Sequence, residues 1–232
     1  MSSINMLWPA PAPVLLPVDS IEEMFPVRRV YCVGRNYAAH AREMGSDERE
    51  PPFFFTKFAD TAVPSGGSVL YPPRTKNFHF EGELVIAIAE RAGAVSVEDA
   101  LDSVYGYAAG LDMTRRDLQL EARDKGRPWD TGKNFSEAAI VGPICPKAPF
   151  GEQFDGKGLR LSVNGQVRQQ TALGLMIWSC AEIIAELSTY DELHPGDLIF
   201  TGTPEGVGAV ERGDSIELVI DGLPRCEIEV AK

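Results

Sequence analysis

Glu81 and Glu83 stand two residues apart in the run Phe80-Glu81-Gly82-Glu83-Leu84-Val85-Ile86. In a β-strand that spacing puts both side chains on one face, and the apolar residues that follow draw the segment toward a core. Two like charges half sunk in a core call for a cation, and carboxylates are the hard oxygen donors that Mg²⁺, Mn²⁺ and Ca²⁺ prefer. Asp112 ends a second strand-like run, Val104 to Leu111, which could deliver it beside the pair. The competing reading of a lone E-x-E is the solvent face of an edge strand. His40 and Glu43, three apart on a short helix, share a face. A carboxylate bonded to an imidazole fixes its tautomer and raises its basicity, which suits a general base acting on water; the same spacing also describes an ordinary surface pair.

Arg116 and Gln119 lie at the start of a helix that opens just after Asp112. An arginine beside a helix N-terminus suits a substrate carboxylate, and Lys133, between a glycine and an apolar run, could add a cation. His79 alternates onto the face of Glu81 and Glu83, as a ligand, a supporting partner or a buried hydrogen-bonding group. His194, before Pro195-Gly196-Asp197, reads as part of a turn. The stretch Thr201-Gly202-Thr203-Pro204-Glu205-Gly206-Val207-Gly208 resembles a nucleotide loop only superficially. It has no P-loop lysine and no G-x-G-x-x-G opening a long βαβ unit, so it reads as a rigid turn offering a threonine hydroxyl and backbone amides to a ligand.

These residues must be carried by many strands and few helices. Strand-like runs recur at Val27–Val33, Phe53–Phe55, Val69–Tyr71, Leu84–Ala89, Val104–Leu111, Leu159–Val163, Leu198–Thr201, Ile216–Ile220 and Cys226–Val230. Asn164-Gly165 and Asp221-Gly222 are hairpin turn signals. Helices are expected over Tyr37–Met44, between an Asn36 cap and Gly45, over Ser96–Asp102, and after two capping boxes, Thr114 with Asp117 and Ser179 with Glu182. The pattern is that of a β-rich α+β domain. Pro9, Pro11, Pro13 and Pro17 break the N-terminus, and residues 1–26 read as an extended arm ahead of a catalytic domain at 27–232, with neither a signal peptide nor a membrane span.

The 232 residues are 44% hydrophobic, enough for a full core. A net charge of −12 argues against nucleic-acid binding as a main role. Cys32, Cys145, Cys180 and Cys226 are scattered without a C-x-x-C pair, as reduced thiols in a cytoplasmic protein would be.

Taken in order, Gly34-Arg35-Asn36-Tyr37 with His40 and Glu43, Glu81-x-Glu83, Asp112, Arg116-Asp117-x-Gln119, Lys125-Gly126-x-Pro128-Trp129 with Lys133, and Thr201-Gly202-Thr203-Pro204-x-Gly206-Val207-Gly208 resemble the fumarylacetoacetate hydrolase superfamily, from about Phe25 onward. Within it the chain is similar to the small acylpyruvate hydrolases, and its Arg127-Pro128-Trp129-Asp130-Thr131-Gly132-Lys133 segment to those acting on fumarylpyruvate. The resemblance implies a mixed β-sandwich roll, a homodimer, and Mg²⁺ or Mn²⁺, with Ca²⁺ as a further candidate, on Glu81, Glu83 and Asp112. Val33 stands where the fumarylacetoacetases proper carry another aspartate ligand. The implied reaction is hydrolytic C–C cleavage of a 2,4-dioxo acid, most simply fumarylpyruvate to fumarate and pyruvate in gentisate-type aromatic catabolism. In it His40, oriented by Glu43, activates water, Lys133 stabilises the leaving enolate, Arg116, Gln119 and Thr203 position the pyruvoyl end, and Arg35 meets a distal carboxylate. Relatives with the same metal site that decarboxylate oxaloacetate or isomerise 2-hydroxydienedioates supply the alternative.

Overall fold

Alternation along two long strands decides the architecture. The computed structural model describes residues 6–37 and 50–232. Its centre is the antiparallel pair Gly82–Ile88 and Val104–Asp112, with the first strand buried along its whole length. Leu84, Ile86 and Ile88, with Tyr107, Ala109 and Leu111, face one core, whereas Val85, Ala87 and Ala108 face another. A strand that must bury both faces reads as continuous apolar sequence, which is why Leu84 to Ile88 carries no polar residue.

The pair lies inside an eight-stranded mixed sheet ordered Phe53–Lys57, Arg29–Gly34, Asp197–Phe200, Gly82–Ile88, Val104–Asp112, Ala139–Val141, Ala62–Pro64, with Cys145–Pro146 paired beside Val104–Asp112. A five-stranded sheet, ordered Gln166–Ala172, Gly158–Val163, Ser215–Ile220, Cys226–Val230, Ser68–Val69, packs on the first core through Leu159, Leu161, Ile216 and Leu218. The β-rich sandwich expected from the resemblance is therefore the fold. Asn164 and Gly165, both at positive φ, make the expected tight turn between two of its strands. Ser179 and Glu182 form a reciprocal capping box at the start of the Cys180–Tyr190 helix, also as expected.

Three local expectations need correction or qualification. Thr114 does not cap a helix: it joins the two-residue strand Thr114–Arg115, paired with Phe78–Phe80, and the helix begins at Arg116. Its partner Asp117 instead accepts from Thr75 Oγ1 (2.6 Å) and the Lys76 amide (3.0 Å). The segment Ser96–Asp102 yields only a 3-10 turn, Ala100–Ser103. The helix expected over residues 37–44, with His40 and Glu43, lies outside the described residues apart from Tyr37.

The stretch read as the end of an N-terminal arm is packed. Leu15–Pro17 and Met24–Pro26 pair as an antiparallel hairpin, and Leu16, Val18 and Phe25 enter the second core beside Val30, Val85 and Leu198. Prolines sit here on the hairpin's own strands and not inside the large sheet, where a missing N–H would cost a ladder bond. Burying a residue such as Leu16 contributes about 1.5–3 kcal/mol, which tethers the segment to the sheet.

Candidate active site

The second face of the central pair is apolar along most of its length and charged at one end. Glu81 and Glu83 share the parity of Val85 and Ala87, and Asp112 that of Ala108, so all three acids project on the same side. Register brings them together: the Asp112 amide donates to Glu81 O at 2.9 Å, and Glu83 stands opposite Gly110. Their carboxylate oxygens lie within 4.8 Å of one another, and all three residues are buried. The edge-strand alternative for Glu81-x-Glu83 is thereby excluded.

Gly82, between the two glutamates, faces the other sheet. A Cβ there would come within 2.9 Å of Leu161 Cδ1 and 3.1 Å of Gln169 Oε1, so a larger residue would make these side chains shift where the five-stranded sheet closes beneath the acids. Gln169 Oε1 takes the Gly82 amide at 2.9 Å, and its Nε2 donates to Thr203 Oγ1 at 2.8 Å. Thr203 in turn donates to Gly82 O, while the Gly202 amide holds Glu83 Oε2 at 2.7 Å. The turn expected to present groups to a ligand thus also fixes the glutamate backbone and one carboxylate.

Cations close in from three elements. Lys133, on the short helix Asp130–Lys133, donates to Glu81 Oε2 and Asp112 Oδ2, 2.6 Å each. Gly132 makes this possible, because a Cβ there would meet the Gln119 backbone at 2.7 Å and push the short helix off its neighbour. Lys57, the last residue of Phe53–Lys57, places Nζ 2.8 Å from Asp112 Oδ1 and donates to the Met113 and Lys133 carbonyls. Arg116 bonds Glu81 Oε1 and Gln119 Oε1, and its Nε approaches His79 Nδ1 at 3.4 Å. Arg116 and Gln119 are therefore joined as their spacing implied, with the guanidinium turned onto Glu81. His79 is a supporting group here, bonded to Asn77 Oδ1 at 2.8 Å.

Electrostatics at the three acids is uneven. Burial pushes the Glu83 carboxyl well above its ordinary range, and the Asp112 and Glu81 charges push it further. Burial opposes the ionisation of Glu81 as well, but Lys133 and Arg116 outweigh it and hold Glu81 far below the carboxylate range. Lys133 also pays no net penalty: burial disfavours its charge, yet Asp112 and Glu81 hold the ammonium above its usual value. Asp112 Oδ1 is buried without an aligned hydrogen-bond donor, Lys57 meeting it as an ion pair only. Three buried oxygen donors, one of them pushed toward its neutral form by burial and by its acidic neighbours, fit a divalent cation of the Mg²⁺, Mn²⁺ or Ca²⁺ kind.

Arg35 is placed over the Phe53 ring, with its guanidinium 5.7 Å from the ring centroid. The expected base, His40 with Glu43, is outside the described residues. Sequence reasoning missed Lys57, Gln169 and the tertiary role of Asn36, whose amide bonds Trp178 and the Thr201 carbonyl. Lys57 had one signal, a lone cation closing an aromatic strand.

The family described as fumarylacetoacetate (FAA) hydrolase, C-terminal, matches residues 29–231. Fumarylpyruvate hydrolase from Ralstonia sp. is 52% identical over 181 residues, 78% of this chain and 93% of that protein. The human mitochondrial oxaloacetate tautomerase FAHD1 is 42% identical over 205 residues, 88% and 92% of the two chains. The crystal structure of fumarylpyruvate hydrolase from Pseudomonas aeruginosa in complex with Mn²⁺ and pyruvate superposes with a TM-score of 0.94 at 51% identity, covering 98% of this chain and 99% of that one. Since the match runs through both sheets and takes in the acids and the lysine that the fold gathers, the chain belongs to the fumarylacetoacetate hydrolase family.

Proposed function

We infer that this protein is a metal-dependent hydrolase that cleaves a C–C bond of an acylpyruvate, with fumarylpyruvate giving fumarate and pyruvate. One observation carries the reading: a near full-length likeness to a fumarylpyruvate hydrolase that binds Mn²⁺ and pyruvate coincides with a buried triad of oxygen donors in this chain. Glu81, Glu83 and Asp112 would hold the cation, Mn²⁺ by that likeness and Mg²⁺ by the same donor chemistry. A divalent ion bound there supplies Lewis acidity toward an oxo acid's oxygens.

The chain's own groups account for the remaining work. Lys133 spends two N–H bonds on Glu81 and Asp112 and keeps its third for a ligand, so a buried, permanently charged donor faces the negative charge that develops as pyruvate leaves. Arg116, bonded to Gln119 and to Glu81, forms with Gln119 a polar pair suited to the pyruvoyl end, and Thr203, held against Gly82 and Gln169, is assigned to the same end. His40 is assigned the proton of the attacking water, with Glu43 orienting it. Arg35, over the Phe53 ring, is assigned to the acyl side of the site. A homodimer, a cytoplasmic setting and a place in aromatic catabolism belong to the same proposal, supported by the family resemblance and by four buried free cysteines. No helix among the described residues is long and apolar enough to cross a membrane.

Steady-state assays on fumarylpyruvate, acetylpyruvate and oxaloacetate, with Mn²⁺ and after chelation, test the reading. Cleavage of the acylpyruvates that disappears with chelation is the expected result. Negligible cleavage alongside efficient turnover of oxaloacetate would favour the tautomerase or decarboxylase alternative.

A further inference from the structure

Lys133 belongs to two neighbouring places. Its ammonium is bonded to Glu81 and Asp112, and the residue also lines a cavity of about 430 Å³ whose walls include Phe53, Phe55, Pro128, Trp129, Arg127 and Asp130. That volume lies within the range of roughly 300–1,000 Å³ typical of small-ligand sites. Four of the nine wall residues are aromatic: Phe53, Phe54, Phe55 and Trp129. Phe53 and Phe55 both meet Trp129, with ring centroids 5.1 and 5.7 Å apart, and Lys133 Nζ lies 5.2 Å from the Phe55 centroid. An aromatic slot therefore opens next to the ammonium that the reaction is assigned.

Arg127 is the cation in this slot besides Lys133. It is exposed, and its guanidinium makes no salt bridge or side-chain hydrogen bond among the described residues; its charge is felt by Glu121 through space alone. Asp130, the acid of the lining, opens the short helix that carries Lys133 and disfavours a second anion at that end. A larger cavity of about 790 Å³ shares Arg127 and adds Arg74 and Arg115, but Lys133 and the three acids do not line it.

We propose that the Phe53–Phe55–Trp129 slot is the acyl subsite, built for a planar, unsaturated acyl arm that ends in a carboxylate, with Arg127 as the group that reads that carboxylate. The proposal rests on the hydrolase reading above and deepens it. Flat conjugated carbons fit against aromatic faces, and a guanidinium fork matches a carboxylate with two parallel hydrogen bonds. A methyl-terminated acyl group would leave both features unused. Specificity for an enedioyl over an acetyl substrate thus resides in residues remote from the acids.

Two measurements on wild-type protein, Arg127→Met and Phe53→Ala test this: fumarate binding by calorimetry in the presence of Mn²⁺, and kcat/KM on fumarylpyruvate and acetylpyruvate. Arg127→Met should weaken fumarate binding roughly 10- to 100-fold, the worth of a charge-assisted pair, and lower the fumarylpyruvate-to-acetylpyruvate ratio by a similar factor. Phe53→Ala, at a partly exposed position, should shift the ratio in the same direction by less. Fumarate affinity and substrate ratio both within about twofold of wild type in Arg127→Met would overturn the subsite, and normal cleavage of both substrates would then leave the hydrolase reading standing. Loss of fumarate affinity in Arg127→Met, in a wild-type background that cleaves neither acylpyruvate, would support the subsite and overturn the hydrolase reading instead.

Discussion

Asp197 and Asp112 are both buried acids of the large sheet, held at opposite ends of the strands flanking Gly82–Ile88. Asp197 opens its strand and is fully satisfied: Arg28 and Arg29 reach it at 3.1 and 2.9 Å, and the His194 amide at 2.9 Å. One acid meets two guanidiniums, and no second carboxylate is buried with it. Asp112 closes its strand among two more buried acids, and although Lys57, Lys133 and Arg116 approach, burial together with the like charges leaves Glu83 pushed toward its neutral form. A closed ion cluster secures the fold, whereas a cluster with unresolved repulsion is poised for a ligand.

The largest test of this contrast is Asp197→Ala. It should destabilise the protein by about 3 kcal/mol, the low end for a broken buried pair because both guanidiniums keep contact with water, as read from urea unfolding. The folded protein should keep its wild-type kcat. An Asp197→Ala protein of normal stability with depressed kcat would erase the distinction between the two clusters.

Lys133→Met should have the opposite profile, lowering kcat for acylpyruvate cleavage by about 10²–10³-fold, the usual cost of losing one donor to developing negative charge. Single-turnover kinetics at saturating Mn²⁺ would measure it, and a wild-type rate would remove Lys133 from the chemistry. Glu83→Gln sharpens the same point with two signs. Removing one of three mutually repelling acids should stabilise the metal-free protein by about 1 kcal/mol, as relief of a functional compromise often does. Mn²⁺ affinity should fall at least about tenfold. Thermal unfolding in chelator and titration calorimetry would follow the two effects, and a destabilised metal-free protein would show that Glu83 is structural.

The smallest effect is expected at Asp117, which belongs to neither cluster. Burial works against its ionisation, but bonds from Thr75, Lys76 and Leu118 outweigh this and hold its carboxyl below the ordinary value. A carboxylate with a lowered folded-state value contributes stability that is present above its unfolded value and lost as pH falls through the folded one. The stability gap between wild type and Asp117→Ala should accordingly be widest near neutrality and shrink as acid is added below the usual aspartate range. A gap independent of pH in acid unfolding curves would contradict that account.

Much of the strand framework was legible because a strand buried on both faces leaves an unmistakable apolar run, and because Asn164-Gly165 and the Ser179/Glu182 box are local devices whose geometry is complete within a few residues. Thr114 with Asp117 shows where such devices mislead. The same pattern that caps one helix was overridden when Thr114 paired with His79 across two strands. Within residues 1–26 the proline content reads as an arm, and only the tertiary structure gives Leu16 and Phe25 a sheet face to cover.

By itself, the sequence determined the period-two placement of Glu81 and Glu83, the strand ending in Asp112, the Arg116–Gln119 spacing and, through ordered motifs, the family. Only the tertiary structure decided that Lys57 and Lys133 converge on Asp112, that Gln169 and the Gly202 amide lock the glutamates, and that Asp197 rather than Asp112 became the closed cluster. Alternation fixes which face a side chain takes, but the net charge of a buried site is the sum over strands distant in sequence, and that sum exists only once register has brought them within hydrogen-bonding distance.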